Sequence, residues 1–116
     1  MNILLHTQGF DLTPAIEAHT RKQLHLHLAN FSSYVVSVDV FLRDINGPKG
    51  GTDMKVLIRA NLETRTTVTV EQTRADLYDA ISNATRQTKR AVRRSVSKHR
   101  RMEKFALRKL NRLPQI

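Results

Sequence analysis

The sequence predicts an α/β (α+β) two-layer sandwich of order β-α-β-β-β-α, a four-stranded mixed sheet with two helices packed on one face. Three observations lead there. Residues 13–31 and 73–104 repeat apolar positions every three or four residues, the period of a helix face. Residues 2–7, 34–43, 54–62 and 65–71 alternate apolar and polar side chains, the period of a half-buried strand. At 116 residues, without an internal repeat, the chain suits one hydrophobic core.

Taken in order, Ile3 and Leu5 share one face of the first strand, and residues 9–13 turn the chain. Thr13-Pro14 opens the first helix, because the threonine hydroxyl can accept a backbone N–H and proline suits the first helical position. That helix runs to about Asn30 and buries Ile16, Thr20, Leu24, Leu28 and then Phe31. After Ser32-Ser33, the second strand places Tyr34, Val36, Val38, Val40 and Leu42 on one face, with Ser37, Asp39 and Arg43 on the other. Residues 44–53 (DINGPKGGTD) form a mobile loop. The third strand turns Met54, Val56, Ile58, Ala60 and Leu62 inward, Glu63-Thr64 makes a hairpin connection, and the fourth strand, 65–71, turns Val68 and Val70 inward. Thr73 caps the second helix, with Asp76 three residues on, and Leu77, Ile81, Ala84, Thr88, Val92 and Val96 form its buried stripe. Reaching about Lys104, that helix would be on the order of 45 Å long, and Pro114 bars its continuation. A helix in the first connection lets strands one and two lie parallel, and strands two to four follow as antiparallel neighbours.

Twenty Lys and Arg against ten Asp and Glu leave a net charge of +10 and a pI near 10.9. Such an excess attracts polyanions, nucleic acid first and an anionic membrane second. Without cysteine there is no disulfide, thiolate nucleophile or cysteine metal site. The N-terminus lacks the pattern of a signal peptide, and no apolar run approaches the ~18 residues of a membrane span, so a cytoplasmic protein without a membrane partner is expected. No Walker loop, GxSxG or HExxH occurs, and residues 47–51 (GPKGG) precede a strand rather than a helix. No enzyme, catalytic residue, cofactor or small-molecule substrate is expected. His25 and His27 are two apart, whereas helical metal ligands need a spacing of three or four, so no metal site is expected either. Asp76 and Asp79 read as partners of the helix dipole rather than as a catalytic pair. Phe10, Phe31 and Phe41 read as core or core edge, as does Tyr78.

Twelve of the twenty basic residues fall between Arg86 and Arg112, interrupted by one acid, Glu103. On a helix, Arg86, Arg90, Arg94 and Arg101 share one side, and Lys89, Arg93 and Arg100 an adjacent one. These seven with Lys98, joined by Arg21 and Lys22 of the first helix, are the candidate nucleic-acid-binding residues. Guanidinium and ammonium groups neutralise phosphates and release counterions.

Two segments carry a resemblance. DLTPAIEAH (residues 11–19) and DLYDAI (residues 76–81), the latter followed by a helix with KR and RR pairs, resemble the ribosome hibernation promoting factor and ribosome-associated inhibitor family over residues 1–104. The chain departs from the family's pattern at Ser82, Gln87 and Thr88, and in the QLHLHL run of helix one. The resemblance implies a β-α-β-β-β-α fold and a translation inhibitor. It would bind ribosomal RNA in the decoding channel of the small subunit and exclude messenger and transfer RNA from idle ribosomes. Arg90, Arg94 and Lys98 match basic positions of the family's second helix. On this reading residues 1–104 are a hibernation-factor-like RNA-binding domain, expected to be monomeric, and 105–116 a basic tail. The alternative is a general RNA- or DNA-binding module without specificity for the ribosome, because charge alone indicates only a polyanion.

Overall fold

A computed structural model of the chain describes residues 1–45 and 53–112. The elements are β1 (Asn2–Gln8), α1 (Pro14–Leu28), β2 (Val35–Asp44), β3 (Met54–Leu62), β4 (Thr67–Arg74) and α2 (Leu77–Asn111), with a 3-10 turn over Ala29–Phe31. The strands lie side by side in chain order, β1 parallel to β2 and the other pairs antiparallel. Both helices cover one face, and the two-layer sandwich is the expected one. Between the layers lie Leu24 and Leu28 of α1, Val38, Val40, Leu42, Val56, Ile58 and Ala60 of the sheet, and Ile81, Ala84 and Val92 of α2, all at most 1% exposed. Among the described residues no helix is long and apolar enough to cross a membrane.

Sequence accounts for the packing. Thr13 Oγ1 accepts from Ile16 N at 3.2 Å, as the cap predicts, and Pro14 starts α1. Three threonines are buried between helix and sheet without unsatisfied hydroxyls. Thr20 donates to Ile16 O, Thr85 to Ser82 O and Thr88 to Ala84 O, at 2.7–3.0 Å. Thr88 thus occupies a core position by bonding its own helix.

Several boundaries differ from expectation, each for a local reason. The register slips between Val35 and Ser37, so Val36 bulges out at 54% exposure while Val35 turns inward. Strict alternation from Tyr34 reads straight through that extra residue. Tyr34 lies outside the strand. Phe41, expected in or beside the core, stands on the open face of the sheet, stacked on His6. Residues 63–66 make the β3–β4 turn, with Arg65 at φ +64, so β4 starts at Thr67 rather than 65 and continues to Arg74. Thr73 is therefore a strand residue, and Asp76 caps α2 by accepting from Tyr78 N at 3.0 Å. Helix α2 passes Lys104 and ends at Asn111, 35 residues or about 52 Å. Residues 46–52 of the expected loop, and Pro114, lie outside the described residues.

Gly9 joins β1 to the approach of α1 at φ +86, and a Cβ there would lie 3.3 Å from both Cβ and the carbonyl oxygen of Asp44. Gly9→Ala is expected to cost about 1–2 kcal/mol, from left-handed backbone strain and this contact. A urea titration showing no loss would refute that requirement.

Candidate nucleic-acid interface

The same periodicity that buries Ile81, Ala84, Thr88, Val92 and Val96 throws the cations of α2 outward. Arg86, Arg90, Arg93, Arg94 and Arg101 lie opposite that stripe, and all are exposed. Lys98 is exposed on the flank of this face, and Lys89 is half-buried on the side toward α1. Among the described residues, no carboxylate lies within ion-pair distance of any of these seven. The face is a continuous row of solvated, uncompensated positive charge on a rigid rod.

Helix α1 meets α2 along a seam of histidines. His19 Nε2 lies 3.5 Å from Ser82 Oγ, and its ring meets Tyr78 edge-on at 4.8 Å. Tyr78, expected at the core edge, is instead 41% exposed and packs on His19 at the surface of the seam, because it sits one residue off the buried stripe in the first turn of α2. About two turns on along α1, His27 lies near Lys89 and Arg86. Partial burial, and then the charges of Lys89 and Arg86, hold its imidazole below the ordinary 6.5. Folding stability linked to His27 is thus fully present above pH 6.5 and declines as pH falls through that value toward the lowered folded pKa.

Two named cations are engaged within the fold. Arg100 donates through Nε and Nη2 to the Tyr34 hydroxyl at 3.1 and 2.7 Å, with its guanidinium 5.2 Å from the ring centroid. That contact fastens α2, where it leaves the sheet, to the residue just before β2. Arg21 pairs with Glu17 at 3.2 Å and reaches the Ile3 carbonyl at 3.4 Å. Lys22 is exposed on α1.

The sequence profile described as sigma 54 modulation protein / S30EA ribosomal protein matches residues 3–100. The chain belongs to that family. Among solved structures, the N-terminal domain of Thermus thermophilus protein Y is 27% identical, with a TM-score of 0.69 over 81% of this chain and 98% of that one. A ribosomal subunit interface protein from Coxiella burnetii is 16% identical, with a TM-score of 0.70 over 83% of this chain and 99% of that one, and shows the shared fold. No curated protein sequence matches significantly.

In this S30EA-family chain, α2 continues for eleven residues beyond the matched region, from Arg101 to Asn111. Lys104 and Arg108 extend the outward cationic row along it, exposed like Arg101. Arg108 lies beyond the helix end expected near Lys104, and Lys104 at that end, so neither is among the residues the sequence assigns to the site. The 3.6-residue period running on from Arg90 and Arg101 was the signal available. His27 was missed as a seam residue because its neighbours come from the other helix. Among the described residues there is no cluster of three or more His, Cys, Asp or Glu able to hold a metal.

Proposed function

We propose that this protein is a ribosome-associated translation inhibitor acting in the cytoplasm. The outward face of α2, with Lys22 and the seam beside α1, docks on ribosomal RNA of the small subunit. As a monomer it occupies the decoding channel and excludes messenger and transfer RNA from idle ribosomes. No bond is made or broken; inhibition is by occupancy. The observation that carries this reading is the unpaired row of Arg86, Arg90, Arg93, Arg94 and Arg101 on one rigid face, in a chain of a family described as ribosomal. Structured RNA is engaged largely through backbone and shape, which suits a cationic rod.

Competition between purified small subunits and duplex DNA tests it. The expected result is preference for subunits at physiological salt. Equal affinity would instead favour a general nucleic-acid-binding module.

Burial is the larger cause of the lowered His27 pKa and stays in place on docking, but phosphate arriving beside Lys89 and Arg86 offsets the part due to their charge, so docking should raise the pKa and take up protons. Subunit affinity should therefore increase as pH falls through the range where free His27 is neutral and bound His27 is protonated. His27→Gln should flatten that dependence in fluorescence-anisotropy titrations, and an unchanged pH profile would remove His27 from the interface.

A further inference from the structure

On the face of the sheet away from the helices, the strand register sets side chains in rows. One row is His6, Phe41, Leu57 and Glu71, and the next is Gln8, Arg43, Lys55 and Thr73. On the other side of the first row, Leu4, Asp39, Arg59 and Thr69 form a third. Successive rows are two residues apart along each strand, about 6.6 Å. Single apolar side chains are common on a solvated sheet face, but a cluster of them is not. Here His6 and Phe41 stack with centroids 4.8 Å apart and planes 15° from parallel. The Arg59 guanidinium lies 5.8 Å from the Phe41 centroid. Next to this stack is a hollow of about 400 Å³, with His6, Phe41 and Leu57 as its aromatic and apolar wall and Arg43 and Lys55 as its cationic wall. Among the described residues β1 is an edge strand, with no further strand beyond His6.

We propose that this hollow is a second RNA site, which takes one unpaired nucleotide of a single strand. The base packs against His6, Phe41 and Leu57. Its flanking phosphates meet Arg43 and Lys55 on one side and Arg59 on the other. Cations on both sides of the aromatic row match a base within a chain, which has phosphate on both sides. Every base has an apolar face, so stacking of this kind tolerates sequence. Two carboxylates share the face: Asp39 lies 3.9 Å from His6, and Glu71 pairs with Lys55 at 3.3 Å. Glu71 thus competes with phosphate for Lys55. The site is on the opposite layer from α2, so the protein would hold two RNA segments at once. The proposal rests on RNA being the partner, but its test contains no ribosome, and the two readings can fail separately.

The experiment titrates labelled hexauridylate and hexaadenylate, with uridine and adenosine monophosphates as controls, into the full chain carrying Arg90→Glu and Arg94→Glu. Those changes weaken the helix face and leave the sheet face intact. Amide chemical shifts locate binding, and anisotropy measures it. The expected result is oligonucleotide binding with shifts at His6, Phe41, Arg43 and Lys55, and weaker binding of the monophosphates. Phe41→Leu, which retains an apolar side chain of similar bulk, should lower affinity about tenfold, the scale of one lost base–aromatic stack. Arg43→Ala, a surface change, should lower it and reduce its salt dependence. Glu71→Gln should raise it. Absence of oligonucleotide binding, shifts confined to the helices, or affinity unchanged by Phe41→Leu would overturn the proposal. Monophosphates binding as tightly as the hexanucleotides would overturn the assignment to an RNA strand.

Discussion

Arg90→Glu combined with Arg94→Glu is expected to abolish co-sedimentation with small ribosomal subunits at physiological salt while leaving the thermal melt nearly unchanged. Both side chains are exposed and lie opposite the buried stripe of α2. Among the described residues neither has a carboxylate partner. Substitution therefore breaks no packing and leaves no buried charge, and surface changes of this kind usually stay within about 0.5 kcal/mol of neutral. Two acids replacing two cations also relieve the self-repulsion of a chain at +10. Binding is another matter. A charge-assisted hydrogen bond contributes roughly 1.5–3 kcal/mol, so losing two lowers affinity about 10²–10⁴-fold before repulsion is counted. The salt dependence of the residual binding should also flatten, by roughly 0.7–0.9 in logarithmic slope for each lost phosphate contact. Sedimentation like that of the unaltered protein would show that RNA meets a different surface.

Ile81→Ala should do the opposite, destabilising the protein without altering how the folded fraction binds. Ile81 is fully buried in the layer between α2 and the sheet, beside Ala80 and Ala84. The two small neighbours mark where α2 approaches its partners closely, and close-packed surroundings collapse poorly around a void. The expected cost is about 2–5 kcal/mol. At roughly 4 °C per kcal/mol for a domain of this size, the melting temperature should fall by about 8–20 °C. Leu77 heads the same stripe on the helix wheel but is only half-buried at the first residue of α2. Leu77→Ala should therefore cost distinctly less, about 1 kcal/mol. Equal melting temperatures for the two variants would contradict this view of where the core ends.

The charged face and the core face of α2 come from one pattern, which is why both were legible before any coordinates. Ile81, Ala84, Thr88, Val92 and Val96 at helical spacing leave Arg86, Arg90, Arg93 and Arg101 no place but the far side. The buried side of α1 was equally plain, since Ile16, Thr20, Leu24 and Leu28 repeat every four residues and are the buried residues of that helix. β3 was read to the residue, because Met54–Leu62 alternates without interruption. β2 was read one residue out at its start because a bulge adds a residue to one strand in answer to its partner's register, a property of the pair.

Local periodicity thus determined the element order, the inward stripe of each helix, and a cationic rod at the end of the chain. Such features depend on neighbours within a few residues, where sequence separation and spatial separation coincide. Only the tertiary structure decided which charges are free to meet a partner. Arg100 is held by Tyr34, 66 residues away, and Arg21 by the carbonyl of Ile3 as well as by Glu17. It also decided that His27 lies beside Lys89 and Arg86, and that His6, Phe41 and Arg59 meet on the open sheet. Apart from Arg21–Glu17, an i,i+4 pair within α1, each of these contacts joins residues distant in the sequence. Their distance is set by strand register and helix packing rather than by spacing along the chain.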